Sequence, residues 1–222
     1  MLIRIFDVLF SAIALIVLSP LLFPIMLLLK LSGEGEVFFL QNRVGKNRET
    51  FKLYKFATML KNSPNIGAGT ITLHKDPRIL PFGGWLRHTK INELPQLINI
   101  FRGDMSVIGP RPQTQRCFDA FPVLAQKEIV KARPGLSGLG SIIFRNEEQM
   151  MCVNNDPDKF YDDVVMPYKG LLEQWYVSNQ TIWTYFILIG LTVWVTVSSR
   201  SGVVWKVLKN VPQPPQELRK WM

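Results

Sequence analysis

Val8-Leu-Phe-Ser-Ala-Ile-Ala-Leu-Ile-Val-Leu-Ser-Pro-Leu-Leu-Phe-Pro-Ile-Met-Leu-Leu-Leu29 carries no charged residue, and Arg4, Asp7 and Lys30 flank it. About 20 residues at ~1.5 Å rise each reach the ~30 Å of a bilayer core. The run exceeds the ~7–15 apolar residues of a signal peptide, and no small-x-small cleavage site closes it. It reads as a membrane segment. Ser19-Pro20 falls near its middle and Pro24 follows one turn later. Proline removes a backbone donor and clashes with the preceding turn, so a helix here must kink or break. A serine hydroxyl beside the break can re-satisfy a freed backbone group in lipid. Two paths stay open, a kinked spanning helix and a helix-break-helix hairpin over residues 1–32 that re-enters by the same face. The hairpin is the expectation.

Outward from this segment, the composition narrows the class. The chain has 222 residues, a formal net charge of +9 and 47 % hydrophobic residues. Its length allows one domain with an appendage, and its 11 % aromatics argue against disorder. Two cysteines, Cys117 and Cys152, lack metal-ligand spacing and suit a reducing compartment. Two histidines, His74 and His88, exclude a multi-His metal site. Arg43, Lys46, Arg48, Lys52, Lys55 and Lys61 follow the apolar run, which predicts a cytoplasmic position for the bulk of the chain. They would also attract anionic headgroups.

A second apolar stretch, about 182–197, holds Trp183 and Trp194 and is too short to span. It reads as an interfacial helix, with a buried core helix as the alternative. Residues 33–200 then form a cytoplasmic globular domain. Lys206, Lys209, Arg219 and Lys220 support surface docking, and Pro212, Pro214 and Pro215 predict an extended tail over 201–222. The fold class is α+β, mostly helical, with interfacial amphipathic helices on a small globular domain.

In the polar middle, Phe51-Lys-Leu-Tyr-Lys-Phe56 alternates as a strand does. Ile91, Leu94, Leu97 or Ile98, and Phe101 recur at helical spacing, which predicts a helix from about Asn92-Glu93 to Gly103. Asn92 suits an N-cap there, or an anion site at a positive helix end. Gly103-Asp-Met-Ser-Val-Ile-Gly-Pro-Arg-Pro112 and Arg133-Pro-Gly-Leu-Ser-Gly138 are tight loops bearing Arg111 and Arg133, with Arg87 and Arg145 near them in sequence. Planar guanidinium forks match phosphate oxygens, so these arginines suggest a multiply charged, phosphate-bearing ligand. No Walker loop, dinucleotide-binding fingerprint or zinc motif is present. The basic residues are interleaved with Gly-Pro turns rather than aromatic platforms, which argues against nucleic acid.

These blocks resemble the bacterial sugar transferases that are monotopic polyprenyl-phosphate phosphoglycosyl transferases, of the small, catalytic-domain-only type. The resemblance runs through Ser19-Pro20, Gln41-x-Arg43-x-Gly45, Lys55-Phe56-Ala-Thr-Met59, Asp76-Pro77-Arg78, Leu86-Arg87 and Glu93-Leu-Pro-Gln96. It continues in Gly103-Asp-Met-Ser106, Gly109-Pro-Arg-Pro112, Arg133-Pro-Gly135 and Tyr176-Val-x-Asn179. The resemblance implies transfer of a sugar-1-phosphate from a UDP-sugar to polyprenyl (undecaprenyl) phosphate, giving polyprenyl diphosphate sugar and UMP. That is the first membrane step of O-antigen, capsule, exopolysaccharide or glycoprotein assembly. It further implies a re-entrant helix made by Ser19 and Pro20, Mg²⁺ as cofactor, and phosphate binding at Lys55, Arg87, Arg111, Arg133 and Arg145. The expected site is the bacterial inner membrane, with the active domain on its cytoplasmic face. Its partners would be the UDP-sugar, polyprenyl phosphate, membrane lipid and downstream glycosyltransferases, with a homodimer allowed.

In the family an Asp-Glu pair opens the helix, the Asp attacking the sugar-linked phosphate; here the matching residues are Asn92 and Glu93. A neutral amide is a poor nucleophile. Other departures are Tyr185 at a family acidic position and Ala57 at a commonly basic one. Catalytic and metal roles accordingly fall on Glu93 with Asn92 as its orienting neighbour. Glu147, Glu148 or Asp104 are the other carboxylates able to stand in, and a catalytically inactive membrane scaffold is the alternative function.

Overall fold

A computed structural model describes residues 2–32, 34–63, 76–145, 147, 150, 156–198, 201–219 and 221. His74, Glu148 and Cys152 lie outside the described residues. The elements run α1 (Leu2–Leu31), β1 (Phe38–Val44), β2 (Thr50–Phe56), α2 (Pro81–His88), a 3-10 turn (Ile91–Glu93) and α3 (Gln96–Arg102). There follow β3 (Ser106–Ile108), α4 (Gln115–Asp119), α5 (Val123–Ile129), β4 (Gly135–Ser137) and α6 (Leu139–Ile143). After α7 (Pro157–Phe160) and a π-helical turn (Tyr161–Val165) come α8 (Met166–Ser178), α9 (Ile182–Ser198), α10 (Val204–Val207) and α11 (Gln216–Arg219). Helix dominates, and the strands make two two-stranded sheets, β1–β2 and β3–β4. The class is α+β, mostly helical. The chain forms two compact units, the first from Met1–Asp7, Arg43–Phe51 and Gly103–Met222, the second from Val8–Asn42 and Lys52–Arg102.

The N-terminal apolar run is one continuous 30-residue helix with Pro20 and Pro24 inside it. The expected helix-break-helix is corrected to an unbroken α1, and the reason is local. Pro20 has no N–H to give the Ile16 carbonyl four residues earlier. The Ser19 hydroxyl donates to that carbonyl at 2.7 Å instead, so the acceptor stays satisfied without a break. At ~1.5 Å per residue α1 is about 45 Å long, and it is apolar enough to cross a membrane. Past the proline, Leu22, Ile25 and Leu29 form a helical stripe buried against Phe56 and Leu86, the core of the second unit. Ile13, Ile16, Val17, Phe23 and Leu27 face outward. Exposed apolar surface on this scale marks a membrane contact, and the chain is membrane-associated.

In the first unit β3 and β4 pair in parallel, Ser106 opposite Gly135 and Ile108 opposite Ser137. Val44, Phe118, Phe121, Ala125, Ile129 and Met166 make a second core. The α9 helix buries Tyr185, Leu188, Leu191 and Val195 along one side. Its other side leaves Trp183, Val193, Trp194 and Val197 exposed. The C-terminal segment is not simply extended. It carries α10 and α11 and buries Val204, Leu208, Val211 and Leu218. Only the proline stretch between those helices lacks regular structure, and its Pro212 carbonyl accepts from Tyr168 Oη (2.8 Å) and Trp205 Nε1 (3.1 Å). Apolar side chains every few residues anchor the tail despite its prolines.

Candidate functional site

In the second unit Lys55, at the end of β2, meets Glu93 with Nζ 3.7 Å from Oε1, both side chains about one-fifth exposed. Glu93 sits in the 3-10 turn, not on the first turn of a longer helix. α3 begins only at Gln96, because Pro95 is placed where its missing N–H costs least. Asn92 is therefore not an N-cap: Lys90 holds that position with a left-handed backbone (φ 60°), and no side chain caps the turn. The backbone N–H groups of Glu93 and Leu94 donate to Lys90 and Ile91 carbonyls, so they do not point outward at an anion. The expected anion-binding helix end at Asn92 is corrected accordingly. Gly103 does stop α3, at φ 102°.

Asn92 is 93 % buried by its 7 % relative exposure, and its Oδ1 has no hydrogen-bond partner among the described residues. A buried amide oxygen left without a donor costs roughly 1–3 kcal/mol. Such an oxygen is chemically able to accept from a donor or to bind a hard cation. Asn99, which the sequence analysis passed over, fixes the strand that carries Lys55. Its Oδ1 accepts from the Tyr54 N–H (3.0 Å) and its Nδ2 donates to the Lys52 carbonyl (2.8 Å). Asn99 thus substitutes for a missing neighbouring strand. Its only sequence signal is a polar residue on the apolar face of a helix. Arg87 lies in the last turn of α2, and its carbonyl accepts from the Lys90 N–H that opens the 3-10 turn. Asp76-Pro77-Arg78, one of the quoted blocks, is a buried clamp: Arg78 Nη2 is 2.5 Å from Asp76 Oδ2, and Nη1 donates to the Ser63 carbonyl.

In the first unit the loop from Ile108 to Gln113 is held at residue after residue. The Ile108 carbonyl accepts from Tyr176 Oη (3.0 Å) and the Gly109 N–H donates to Ser137 (2.9 Å). The Pro110 carbonyl accepts from Gly135 (2.8 Å), the Pro112 carbonyl from Arg43 Nη1 (3.1 Å) and the Gln113 carbonyl from Val44 (2.9 Å). Glycine is required where the two loops interlock. A Cβ on Gly109 would strike the Arg133 carbonyl, and one on Gly135 or Gly138 would strike the Gly109 backbone. On this fixed backbone the Arg111 side chain stands exposed. Arg133 shares the interlocked loops, its Nε donating to the Gly103 carbonyl at 2.9 Å.

Arg145 has its Nη1 3.1 Å from Thr196 Oγ1 near the C-terminal end of α9, where a cation complements the helix dipole. Glu147 is ion-paired with Lys169, whose ammonium lies over the Phe144 and Tyr161 rings. Tyr185 is fully buried and donates to Asp7 Oδ1 at 2.9 Å, an acceptor shared with Ser106 Oγ and the Val107 N–H. An acid at position 185 would face that carboxylate. Lys55, Asn92 and Glu93 are thus one group in the second unit, and Arg111 and Arg133 another in the first.

Glu173, on α8, is the other residue that sequence reasoning missed. Burial pushes its carboxyl up to about 7 against the pull of the Arg111 N–H, Lys169 and the Arg111 charge. One of its oxygens, Oε2, has no partner among the described residues. Its one sequence signal is an i, i+4 pair, Lys169 and Glu173, inside an otherwise apolar helix.

The bacterial sugar transferase family model matches residues 1–199. The chain belongs to that family. A relative from Sinorhizobium fredii, the exopolysaccharide production protein ExoY, is 39 % identical over 158 residues, which is 65 % of this chain and 70 % of the relative. The undecaprenyl-phosphate glucose phosphotransferase of Komagataeibacter xylinus is 32 % identical over 204 residues, 90 % of this chain and 36 % of the relative. The undecaprenyl-phosphate galactose phosphotransferase of Salmonella typhimurium is 30 % identical over 212 residues, 87 % and 40 % of the two chains. Against these two longer relatives, family membership extends over most of this chain and well under half of theirs.

Proposed function

We propose that the chain moves a sugar-1-phosphate from a UDP-sugar to polyprenyl (undecaprenyl) phosphate, yielding polyprenyl diphosphate sugar and UMP. The reaction takes place at the cytoplasmic face of the bacterial inner membrane and begins assembly of a surface glycan. The observation that carries this reading is Glu93 held against Lys55, with the preceding residue Asn92 buried and its Oδ1 unpartnered among the described residues, in a unit built on the apolar α1. An anionic, soluble donor and an anionic headgroup on a long apolar tail need a cationic site at the interface. Holding both in attack geometry removes much of the entropic barrier. An oxygen of the acceptor phosphate bonds to the sugar-bearing phosphorus, the bridging P–O bond breaks, and UMP leaves with the electron pair. In the second unit Lys55 and Arg87 steady the phosphoryl oxygens as that charge develops. Glu93 deprotonates the acceptor phosphate or attacks first and is displaced by it. Asn92 orients the donor or the cation.

Asn92 Oδ1 and the Glu93 carboxylate are hard oxygen donors, and two such ligands suit Mg²⁺, which keeps waters and binds substrate phosphates. No group of three His, Cys, Asp or Glu side chains able to hold a metal exists among the described residues, so a dedicated all-protein cage is not what these residues build. Bound there, Mg²⁺ would neutralise the diphosphate. The re-entrant path of α1 belongs to the same reading, since a hydroxyl-repaired proline bends a helix without cutting its hydrogen bonding. An inactive scaffold gains no support from relatives named as phosphotransferases.

The test is UMP release from a panel of UDP-sugars by purified protein with polyprenyl phosphate and Mg²⁺. UMP from at least one donor is expected, and silence across the panel would sink the proposal. Intact-mass analysis after UDP-sugar alone then separates the routes: an adduct on Glu93 means two displacements, and release that strictly needs the lipid means one.

A further inference from the structure

β2 bonds β1, the other strand of its two-stranded sheet, along one edge and turns its second edge to α3. A strand edge ordinarily bonds a further strand. Here one fully buried carboxamide takes that place: Asn99 Oδ1 accepts from the Tyr54 N–H at 3.0 Å, and Nδ2 donates to the Lys52 carbonyl at 2.8 Å. Those two backbone groups flank Leu53 on one edge, and a carboxamide carries the donor and the acceptor of a single peptide unit. The bond pair therefore reads the register of β2 to the residue. A slip of one position would send Lys55 to the opposite face. Leu97 and Ile100 on the same helix are buried apolar residues, and a third at 99 would leave both β2 groups without these bonds.

Glu93 lies on the same stretch of chain as Asn99. The 3-10 turn runs on into α3 through the Leu97 N–H to the Leu94 carbonyl (3.0 Å) and the Ile98 N–H to the Pro95 carbonyl (3.0 Å). On β2, Lys55 directly follows Tyr54. Two rungs thus join the same two segments: Asn99 to Lys52 and Tyr54, and Glu93 to Lys55 across 3.7 Å. The ion pair is partly exposed, and such pairs contribute little to holding two segments together. The buried amide rung sets the geometry and the ion pair follows from it.

We propose that Asn99 is a positioning residue for Lys55: by setting the register of β2 on α3 it holds the Lys55 ammonium against the Glu93 carboxylate. The inference rests on the transfer reading given above, in which Glu93 does the chemistry, and goes beyond it by assigning a residue that touches no substrate. All the residues concerned belong to the second unit. An opposite charge a few ångströms away favours the ionised carboxylate, the form that acts as base or nucleophile.

The test reads the surroundings of Lys55 directly, by its rate of acylation with acetic anhydride, followed by peptide mass spectrometry on the whole chain in lipid nanodiscs. Glu93→Gln gives the rate of a Lys55 without that carboxylate. Asn99→Leu is expected to raise the Lys55 rate several-fold, to that of Glu93→Gln, and the double variant to show no further rise. Lys61, paired with Glu36 in the same unit, should keep its wild-type rate. An unchanged Lys55 rate would overturn the proposal, as would a matching rise at Lys61, which marks general loosening. Turnover gives the second comparison. Asn99→Leu should lower kcat/KM for the UDP-sugar by about 10–100-fold, the scale of a misplaced group, and should cost no further activity in a Lys55→Met background. Equal losses in the two backgrounds would mean that Asn99 only supports the fold, and would overturn the proposal. If Asn99→Leu does not fold, Asn99→Ser, too short to meet both backbone groups, replaces it in both comparisons. Absence of UMP release by wild type would overturn the transfer reading and leave the acylation result to judge the Asn99–Lys55 link by itself.

Discussion

The 3-10 turn at Ile91–Glu93 and the loop at Ile108–Gln113 both display a charged side chain, yet they are built in opposite ways. The turn keeps an unmet demand: Asn92 is buried and its Oδ1 has no donor among the described residues. The loop has its backbone groups tied at five residues, Ile108, Gly109, Pro110, Pro112 and Gln113. An unsatisfied buried oxygen lowers stability until something binds it, whereas a fully anchored backbone adds rigidity whether or not ligand is present. The difference teaches that the two regions are held by opposite means, an unmet demand in one and spent hydrogen bonds in the other.

The largest expected effect lies in the turn. Glu93→Gln should cut kcat by about 10²–10⁴-fold, the range for a lost acid–base group, with the thermal midpoint unchanged; a large stability loss would show that the Lys55 pair is structural. On the loop, Arg111→Ala should cost about 10²-fold in kcat/KM, as for one lost donor to a developing oxyanion, also without unfolding. Asn92→Ala sharpens the contrast. It should weaken turnover about tenfold, equivalent to about 1.4 kcal/mol, and raise the Mg²⁺ requirement, while stability measured without ligand rises because an unpaired buried oxygen is removed.

Smaller effects follow on the rigid side. Glu173 keeps its proton up to about 7 in the folded chain against an ordinary 4.5, because burial disfavours the charge. The folded state therefore binds more protons between those values, so stability is fullest below about 4.5 and declines as pH rises through about 7. Glu173→Gln should flatten that decline in thermal unfolding measured between pH 4.5 and pH 8; an unchanged slope would place its source in another group. Tyr176→Phe removes the donor to the Ile108 carbonyl and should destabilise the first unit by about 1 kcal/mol, read by chemical denaturation.

Local pattern revealed much of this. The apolar α1, the strand at Phe51–Phe56, the glycine stop after α3 and the exposed arginine between two prolines all follow from periodicity and backbone chemistry that any window of the chain displays. The start of α3 did not, since Asn92-Glu93-Leu94-Pro95 suits a cap and a first turn as well as it suits a 3-10 turn. Which one forms depends on packing of Ile91 and Leu94 onto the core of the second unit. The proline tail misled for the same reason: Val204, Leu208, Val211 and Leu218 find buried places that no local rule foresees. Glu173, Asn99 and Asp7 were invisible because their partners are far along the chain, 99 residues away for Asp7 and Ser106.

By itself the sequence determined that an apolar helix, a serine beside a proline, and a set of arginine-bearing glycine–proline loops would exist, because these depend on steric limits of the backbone and on periodic hydrophobicity. Only the tertiary structure decided that Asn92 is buried with its Oδ1 unpartnered among the described residues, that Glu93 faces Lys55, and that a carboxylate lies buried inside α8. Such arrangements are settled by which buried polar groups find each other across the fold. Desolvation makes that pairing decisive for energy, and sequence separation hides it from any local reading.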